Sequence, residues 1–156
     1  MRRKDREVTD AFKIEEIIAG CHCCRLGFND DGEVYILPLN FGWEKQSGGY
    51  VLYFHGAREG RKIDLIGKNP HVGFEMDRGY QLRPGDVGGE CTASFQSIIG
   101  NGVVEMVEDP REKIHGLTLI MEHNVGKREW TFAEPMLRAV AVFKLTVTKM
   151  SCKEHE

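Results

Sequence analysis

The sequence has no long hydrophobic run and no apolar stretch near its start. Nothing in its 156 residues approaches the roughly 18 consecutive apolar residues that a membrane-spanning helix requires. Residues 1–6 are mostly charged and lead into no apolar segment, so we expect no signal peptide. Five cysteines, an odd number, do not fit the paired framework of a small secreted domain. These absences predict a cytoplasmic protein that does not associate with a membrane.

An excess of basic residues is also missing. The chain has 21 Lys and Arg against 24 Asp and Glu, which gives a formal net charge of −3. Binding to a nucleic-acid backbone needs a clear positive excess, so we do not expect it as the main function. The length suits a single domain, which we place at 1–156. Eighteen glycines are many for this length and indicate numerous turns, or backbone that approaches a ligand closely.

The predicted elements follow one another in an order typical of an antiparallel β protein with short helices between its strands. Apolar patterning predicts six strands, and capping signals predict four helices. About six mostly antiparallel strands favour a mainly β fold, namely a closed or partly closed barrel with short peripheral helices. The strands are predicted at 23–28, 34–43, 50–55, 71–76, 91–108 and 140–149, and the helices at 61–68, near 133–138, between Asp10 and Gly20, and from Asp109 onwards.

Local signals predict where the chain turns and where the sheet is interrupted. The sequence Asn-Asp-Asp-Gly at 29–32 is a strong hairpin turn, because Asp-Gly adopts positive φ at little cost. Pro38 in the second strand predicts an edge strand or a bulge. The glycine-rich segment 78–89 is interpreted as a loop, and Gly100 and Gly102 predict a bulge, or a break, in the fifth strand.

The stretch 53–62, Tyr-Phe-His-Gly-Ala-Arg-Glu-Gly-Arg-Lys, is the most informative for function. A strand ends there, small residues follow, and Arg61 and Lys62 then stand in the first turn of a helix. Free amides at a helix start favour an anion, and adjacent cations add charge-assisted hydrogen bonds. The stretch is neither a Walker A loop nor a dinucleotide fingerprint. It indicates a phosphate site, with an ordinary solvated helix start as the simpler alternative.

Four segments that span nearly the whole chain form an ordered set with the final strand: Arg-Lys-Asp-Arg-Glu at 3–7 with Cys-Cys-Arg-Leu-Gly at 23–27, Tyr-Ile-Leu-Pro-Leu-Asn-Phe-Gly at 35–42, the stretch 55–62, and Ser-Phe-Gln-Ser-Ile-Ile-Gly at 94–100. Their order resembles that of the FMN-binding split barrels related to pyridoxamine 5′-phosphate oxidase, especially their branch related to 5-nitroimidazole resistance proteins. The resemblance implies a six-stranded split β-barrel that binds a flavin between the two subunits of a homodimer.

The same resemblance implies a role for each matching residue, and all of them are expected to line one flavin site. His55 would stand near its reactive end as the catalytic residue. A purely structural role is the alternative for Asn40 and Gln96, as it is for His55. The expected groups are Pro38, Leu39, Asn40 and Phe41 along the isoalloxazine ring, His55, Gly56 and Ala57 at its pyrimidine and ribityl side, Arg61 and Lys62 on the phosphate, Gln96 and Ser97 below the cofactor, and His123 at its edge.

Two functions follow from this site as alternatives. The first is a flavin-dependent reductase of small nitroaromatic compounds or other flat acceptors, in which the flavin supplies the chemistry and the protein the position. The second is a flavin, haem or deazaflavin carrier or sensor without turnover. A dimer with an empty groove is a third possibility. FMN is the expected cofactor, and FAD is possible because an adenylate tail could leave the groove through the segment 78–89. The chain is short and has no clear counterpart of the C-terminal substrate-binding segment of the oxidase, so vitamin B6 oxidation is not expected.

The sequence Cys-His-Cys-Cys at 21–24 crowds soft ligands together and raises the question of a metal or a redox thiol. Because strand residues alternate between faces, Cys21 and Cys23 are expected to point away from His22 and Cys24. We therefore expect buried cysteines and no metal. Two further histidines, at 115 and 123, lie on one helix without a third ligand. Trp43 and Trp130 are expected in the core or at the dimer contact.

Overall fold

The computed structural model describes residues 3–156, so the first two residues of the predicted domain lie outside the described part of the chain. The elements in chain order are β1 (Glu7–Val8), α1 (Ala11–Gly20), β2 (Cys24–Asp30), β3 (Glu33–Leu39), β4 (Gly42–Gln46), β5 (Gly49–Ala57), α2 (Arg61–Lys68), β6 (His71–Arg83), β7 (Thr92–Met106), α3 (Pro110–Val125), α4 (Glu134–Ala139) and β8 (Val140–His155). One antiparallel sheet has the strand order β3-β2-β6-β7-β8-β5-β4, and β1 pairs with β8. Within the described residues, no helix combines the length and the apolar character needed to cross a membrane.

The helix starts and the first hairpin follow their local sequence signals. The Asp10 carboxylate caps α1 by accepting from the Lys13 amide, and Asp109 caps α3 in the same way. Helix α2 has the predicted bounds. At the hairpin between β2 and β3, Asp31 and Gly32 have φ of 53° and 96°, as a type I′ turn requires. These predictions are confirmed.

The predicted strand 34–43 is wrong as a single element, because it forms two strands at opposite edges of the sheet. β3 ends at Leu39, and the chain crosses through Asn40 and Phe41 before β4 begins. The Phe41 side chain is fully buried in the core at this crossing. Pro38 lies on the edge strand β3, where its missing N–H leaves no ladder bond unmade. The sheet thus has eight strands rather than the predicted six, and its open edges are consistent with a split barrel.

Two strands run further than their sequence patterns predicted. The ladder between β6 and β7 continues beyond an irregularity near Gly79 to Arg83, so the first half of the expected glycine-rich loop is strand. Gly79, with φ of 68°, accommodates the irregularity. β8 reaches His155 because its last residues pair with β7. The predicted bulge is confirmed between Asn101 and Gly102.

The core has two parts, which lie on the two faces of β5. Leu52 and Phe54 point into the sheet interior, and Phe54 stacks on Phe143 with 5.4 Å between ring centroids. Val51 and Tyr53 point the other way, into a cluster with residues of α3. Full burial of such side chains stabilises the fold by about 1.5–3 kcal/mol each. β5 is therefore held from both sides, which fixes the position of its C-terminal end.

Candidate functional site

The residues expected to bind a flavin lie on three parts of the fold: the end of β3 with the crossing to β4, the end of β5, and the start of α2. Helix α2 follows β5 and returns towards β3, where the Arg61 guanidinium carbon lies 4.5 Å from the centroid of the Tyr35 ring. The Phe41 and Phe54 ring centroids are 6.5 Å apart, so the crossing between β3 and β4 lies beside β5. These contacts connect the three parts through Phe41 and Arg61, whereas Pro38, Leu39, Asn40, His55 and Ala57 are only neighbours of the contacting residues along the chain.

Lys62 lies across Gly56 at the start of α2. A Cβ atom added to Gly56 would be 2.6 Å from Lys62 Cε and 2.9 Å from Nζ, so only glycine leaves the lysine this position. Gly60 precedes the helix with φ of 117°, and no side chain caps its first turn, unlike the Asp-capped α1 and α3. The amides of this turn therefore remain able to bind an anion.

Arg61 is engaged within the protein. Its Nε and Nη2 donate to one carboxylate oxygen of Asp30 at 3.1 and 2.9 Å, while its guanidinium covers Tyr35. The paired charge and the hydrogen bonds hold the pKa of Asp30 below its ordinary value. Lys62, in contrast, has no ion pair with a carboxylate in the part of the chain that is described. Lys62 is thus the cation at this helix start that can bind an anion without losing a carboxylate partner.

His55 is exposed and belongs to the face of β5 that also carries Tyr53, opposite to Phe54 and Gly56. Among the described residues its ring has no hydrogen-bond partner. An exposed imidazole at the end of a rigid strand can hold a proton for a molecule bound beside it.

The crossing between β3 and β4 is fixed by two polar side chains. Asn40 Nδ2 donates to the His22 carbonyl and to Asn124 Oδ1, at 3.2 Å each. The His123 ring lies 4.5 Å from that of Phe41, and its Nε2–H donates to the Cys21 carbonyl at 2.6 Å. Burial lowers the pKa of His123, which favours a neutral ring. Asn40 is therefore held by partners within the protein, as expected if its role is purely structural.

Gln96 and Ser97 lie apart from the end of β5 and the start of α2. Arg78 Nε donates to Gln96 Oε1 at 2.5 Å, and Gln96 Nε2 donates to Glu154. Gln96 pairs with Glu154 on β8, whereas His55 pairs with Val142 on the same strand. These two positions are separated by about 40 Å of extended chain. One chain does not bring Gln96 to the residues around Lys62.

The comparisons with known proteins agree with this architecture. The sequence model of the family described as pyridoxamine 5′-phosphate oxidase matches residues 10–154. The chain belongs to this family. A candidate 5-nitroimidazole antibiotic resistance protein from Bacteroides thetaiotaomicron is 32% identical, with a TM-score of 0.81 over 95% of this chain and 86% of that one. No curated protein matches the sequence.

Two more distant structures share the fold of this family member. The flavocytochrome Anf3 from Azotobacter vinelandii has a TM-score of 0.81 at 19% identity, and covers 100% of this chain and 72% of that one. A FAD- and haem-binding protein from Mycobacterium smegmatis has a TM-score of 0.83 at 15% identity, over 97% and 74% of the two chains.

The cysteines of this family member do not alternate as predicted. Cys21 and Cys24 are both buried, together with Cys152, because β2 begins only at Cys24 and the preceding residues are not in a strand. Burial raises the pKa of Cys21 and of Cys152 to about 11, so these thiols resist ionisation. Among residues 3–156, no three His, Cys, Asp or Glu side chains are grouped in a way that could hold a metal ion.

Sequence reasoning missed two surface cavities beside α3. The larger, of about 640 Å³, is lined in part by Trp43, His115 and His123, and His115 Nε2 lies 2.8 Å from a Glu44 oxygen. The smaller, of about 200 Å³, lies at the end of α4 and is lined in part by Arg58 and Lys113. Arg58 lies within the stretch 53–62, which the sequence analysis singled out for function. This stretch was the sequence feature that could have pointed to the smaller cavity.

Proposed function

We propose that this protein binds a flavin mononucleotide and, as a homodimer, passes electrons from it to small nitroaromatic compounds or other flat acceptors. The observation that carries the proposal is the start of α2, where an uncapped helix turn and Lys62, which has no carboxylate partner within the described residues, meet at Gly56. The residues of this site fit a flavin phosphate, because amides and an ammonium without a carboxylate partner leave a favourable place for a dianion.

The edge strand β3 supports the placement of the ring. No strand among residues 3–156 pairs with its outer side, so backbone groups around Leu39 are free to bond the polar edge of a flat ring. The exposed Pro38 and half-buried Leu39 would cover one ring face and exclude water from it. When bound, a flavin supplies hydride chemistry, and the protein supplies position and charge.

His55 is proposed as the proton donor of the reaction. It ends the rigid part of β5, is exposed, and has no partner in the described chain that would compete for its proton. A general acid of this kind typically contributes 10²–10⁴-fold to a rate. Asn40 donates to the His22 carbonyl and to Asn124, so a hydrogen bond from Asn40 to the cofactor would compete with these two bonds.

A homodimer is proposed because Gln96 and Ser97 would then reach the flavin of the partner subunit. The outer face of the sheet supports this. Val34, Ile36 and Ile99 are 71%, 62% and 56% exposed around the neighbouring glycines Gly27 and Gly73. Exposed aliphatic side chains on a flat sheet face are typical of an interface.

The absorbance spectrum of the purified protein is the first test. Flavin bands with two cofactors per dimer, bleached on reduction and restored by a nitroimidazole, are expected. A stable flavin that is never reoxidised by any flat acceptor would favour the carrier or sensor function. A haem spectrum would overturn the proposal. One distant structural relative is described as a FAD- and haem-binding protein. In this chain, the His123 Nε2 is already bonded to a carbonyl.

A further inference from the structure

Two cations, Arg58 and Lys113, line the cavity at the end of α4. Arg58 Nη1 donates to the Arg138 carbonyl at 2.8 Å, and Lys113 Nζ donates to the Leu137 carbonyl. Neither side chain forms an ion pair in the part of the chain that is described. Both bonds to carbonyls leave further N–H donors available, since a guanidinium has five and an ammonium three.

The charges around this cavity are positive in sum. Arg58, Lys113 and Arg138 line it together with Glu108 and Glu134, and Glu134 is already paired with Arg138 at 3.2 Å. Burial and the charge of Arg58 lower the pKa of Lys113, so the two cations are close enough to repel each other. An anion between them would remove this repulsion and would use their free donors.

The cavity also adjoins the proposed flavin phosphate site. Arg58 follows Ala57, the last residue of β5, and Ala57 pairs with Val140, which directly follows α4. Lys62 lies over Gly56, only two residues before Arg58, or about 7 Å along the chain. Lys62 on one side, and Arg58 with Lys113 on the other, thus lie near the same strand end, and none of the three has a carboxylate partner within residues 3–156.

We propose that Arg58 and Lys113 form a second anion subsite, which binds the diphosphate of a dinucleotide whose nearer end lies at the flavin site. The cavity volume of about 200 Å³ is sufficient for a phosphoryl group. The proposal rests on the flavin site at α2. The diphosphate belongs either to FAD itself or to a nicotinamide dinucleotide that reduces the flavin, and the experiment separates these sources.

The test compares the wild type with the variant R58Q/K113M, which removes both charges but keeps side chains of similar length. R111Q is the matched control, because Arg111 is exposed on the same helix as Lys113 and does not line the cavity. Affinities for FMN, FAD and NADPH are measured by fluorescence titration. The expected result is at least a tenfold weaker binding of FAD or of NADPH by R58Q/K113M, the loss of about one charge-assisted hydrogen bond, with FMN affinity unchanged.

Each outcome decides the proposal. A loss confined to FAD identifies the flavin dinucleotide, and a loss confined to NADPH identifies the electron donor. Equal affinities of all three ligands in both proteins would overturn the subsite, as would a parallel loss of FMN affinity. If the wild type binds no flavin, the flavin proposal fails separately. The subsite is then tested by inorganic pyrophosphate, which is expected to raise the Tm of the wild type and of R111Q but not of R58Q/K113M. A failure there overturns it.

Discussion

Lys62 lies over Gly56 so closely that a Cβ atom at Gly56 would stand 2.6 Å from the lysine Cε. The contact is with the end of a flexible side chain, so Gly56→Ala is expected to fold with a nearly unchanged Tm while it displaces the ammonium. We expect flavin affinity to fall about tenfold, the loss of one charge-assisted hydrogen bond. Equilibrium dialysis with FMN measures this. Gly49→Ala is the control on the same strand, because its Cβ would make only an ordinary contact of 3.7 Å.

The sequence predicted the local features around this contact but not the contact itself. Capping residues such as Asp109 and the bounds of α2 depend on neighbours a few residues away, and these were correct. The break at Phe41 depends on its burial against residues distant in sequence, and it was missed. The separation of His55 from Gln96 depends on the register of β8 with two other strands, which no local pattern encodes.

The phosphate clamp predicts a large effect of removing both cations at the helix start. Arg61→Ala with Lys62→Ala should weaken FMN binding about a hundredfold, since each charge-assisted bond contributes roughly 1.5–3 kcal/mol. Asp30→Asn is the informative companion variant. It releases Arg61 from its bonds of 3.1 and 2.9 Å to Asp30 without removing the guanidinium. We expect Asp30→Asn to bind FMN as tightly as the wild type or more tightly, which titration would detect. Unchanged FMN binding in the double variant would place the phosphate elsewhere.

A catalytic His55 should act on turnover and not on occupancy. In His55→Ala, reoxidation of the reduced, fully loaded protein by a nitroimidazole should slow by about 10²-fold, the lower end of general-acid effects. Stopped-flow absorbance at the flavin band measures the rate constant. Flavin affinity should change little, because a general acid acts on the acceptor in the transition state and not on the binding of the cofactor. Normal rates with reduced flavin occupancy would instead make His55 a cofactor-positioning residue.

From the half-buried His123 we predict that the free energy of unfolding depends on pH above the range in which carboxylates titrate. Burial holds its pKa in the folded protein below the ordinary value of 6.5, so the unfolded chain takes up a proton more readily. Its contribution to stability is present above about pH 6.5 and is lost as the pH falls towards the folded pKa. The free energy of unfolding from urea titrations should therefore decrease between pH 7.5 and pH 5.5. His123→Gln, which retains a donor for the Cys21 carbonyl, should show a smaller decrease; an equal one would assign the effect to other groups.

A site shared between two subunits predicts complementation between defective chains. Val142, which pairs with the end of β5 that leads to Lys62, and Glu154, which pairs with Gln96, are about 40 Å apart along β8. Each proposed site therefore takes Lys62 from one subunit and Gln96 from the other. Homodimers of Lys62→Ala or of Gln96→Ala should both bind FMN weakly. When the two are unfolded together and refolded as an equal mixture, each mixed dimer has one site with both substitutions and one intact site. About a quarter of all sites should then bind with wild-type affinity, as a biphasic titration would reveal. A mixture that binds no better than its parents would mean that both residues act within one chain or that Gln96 contributes nothing.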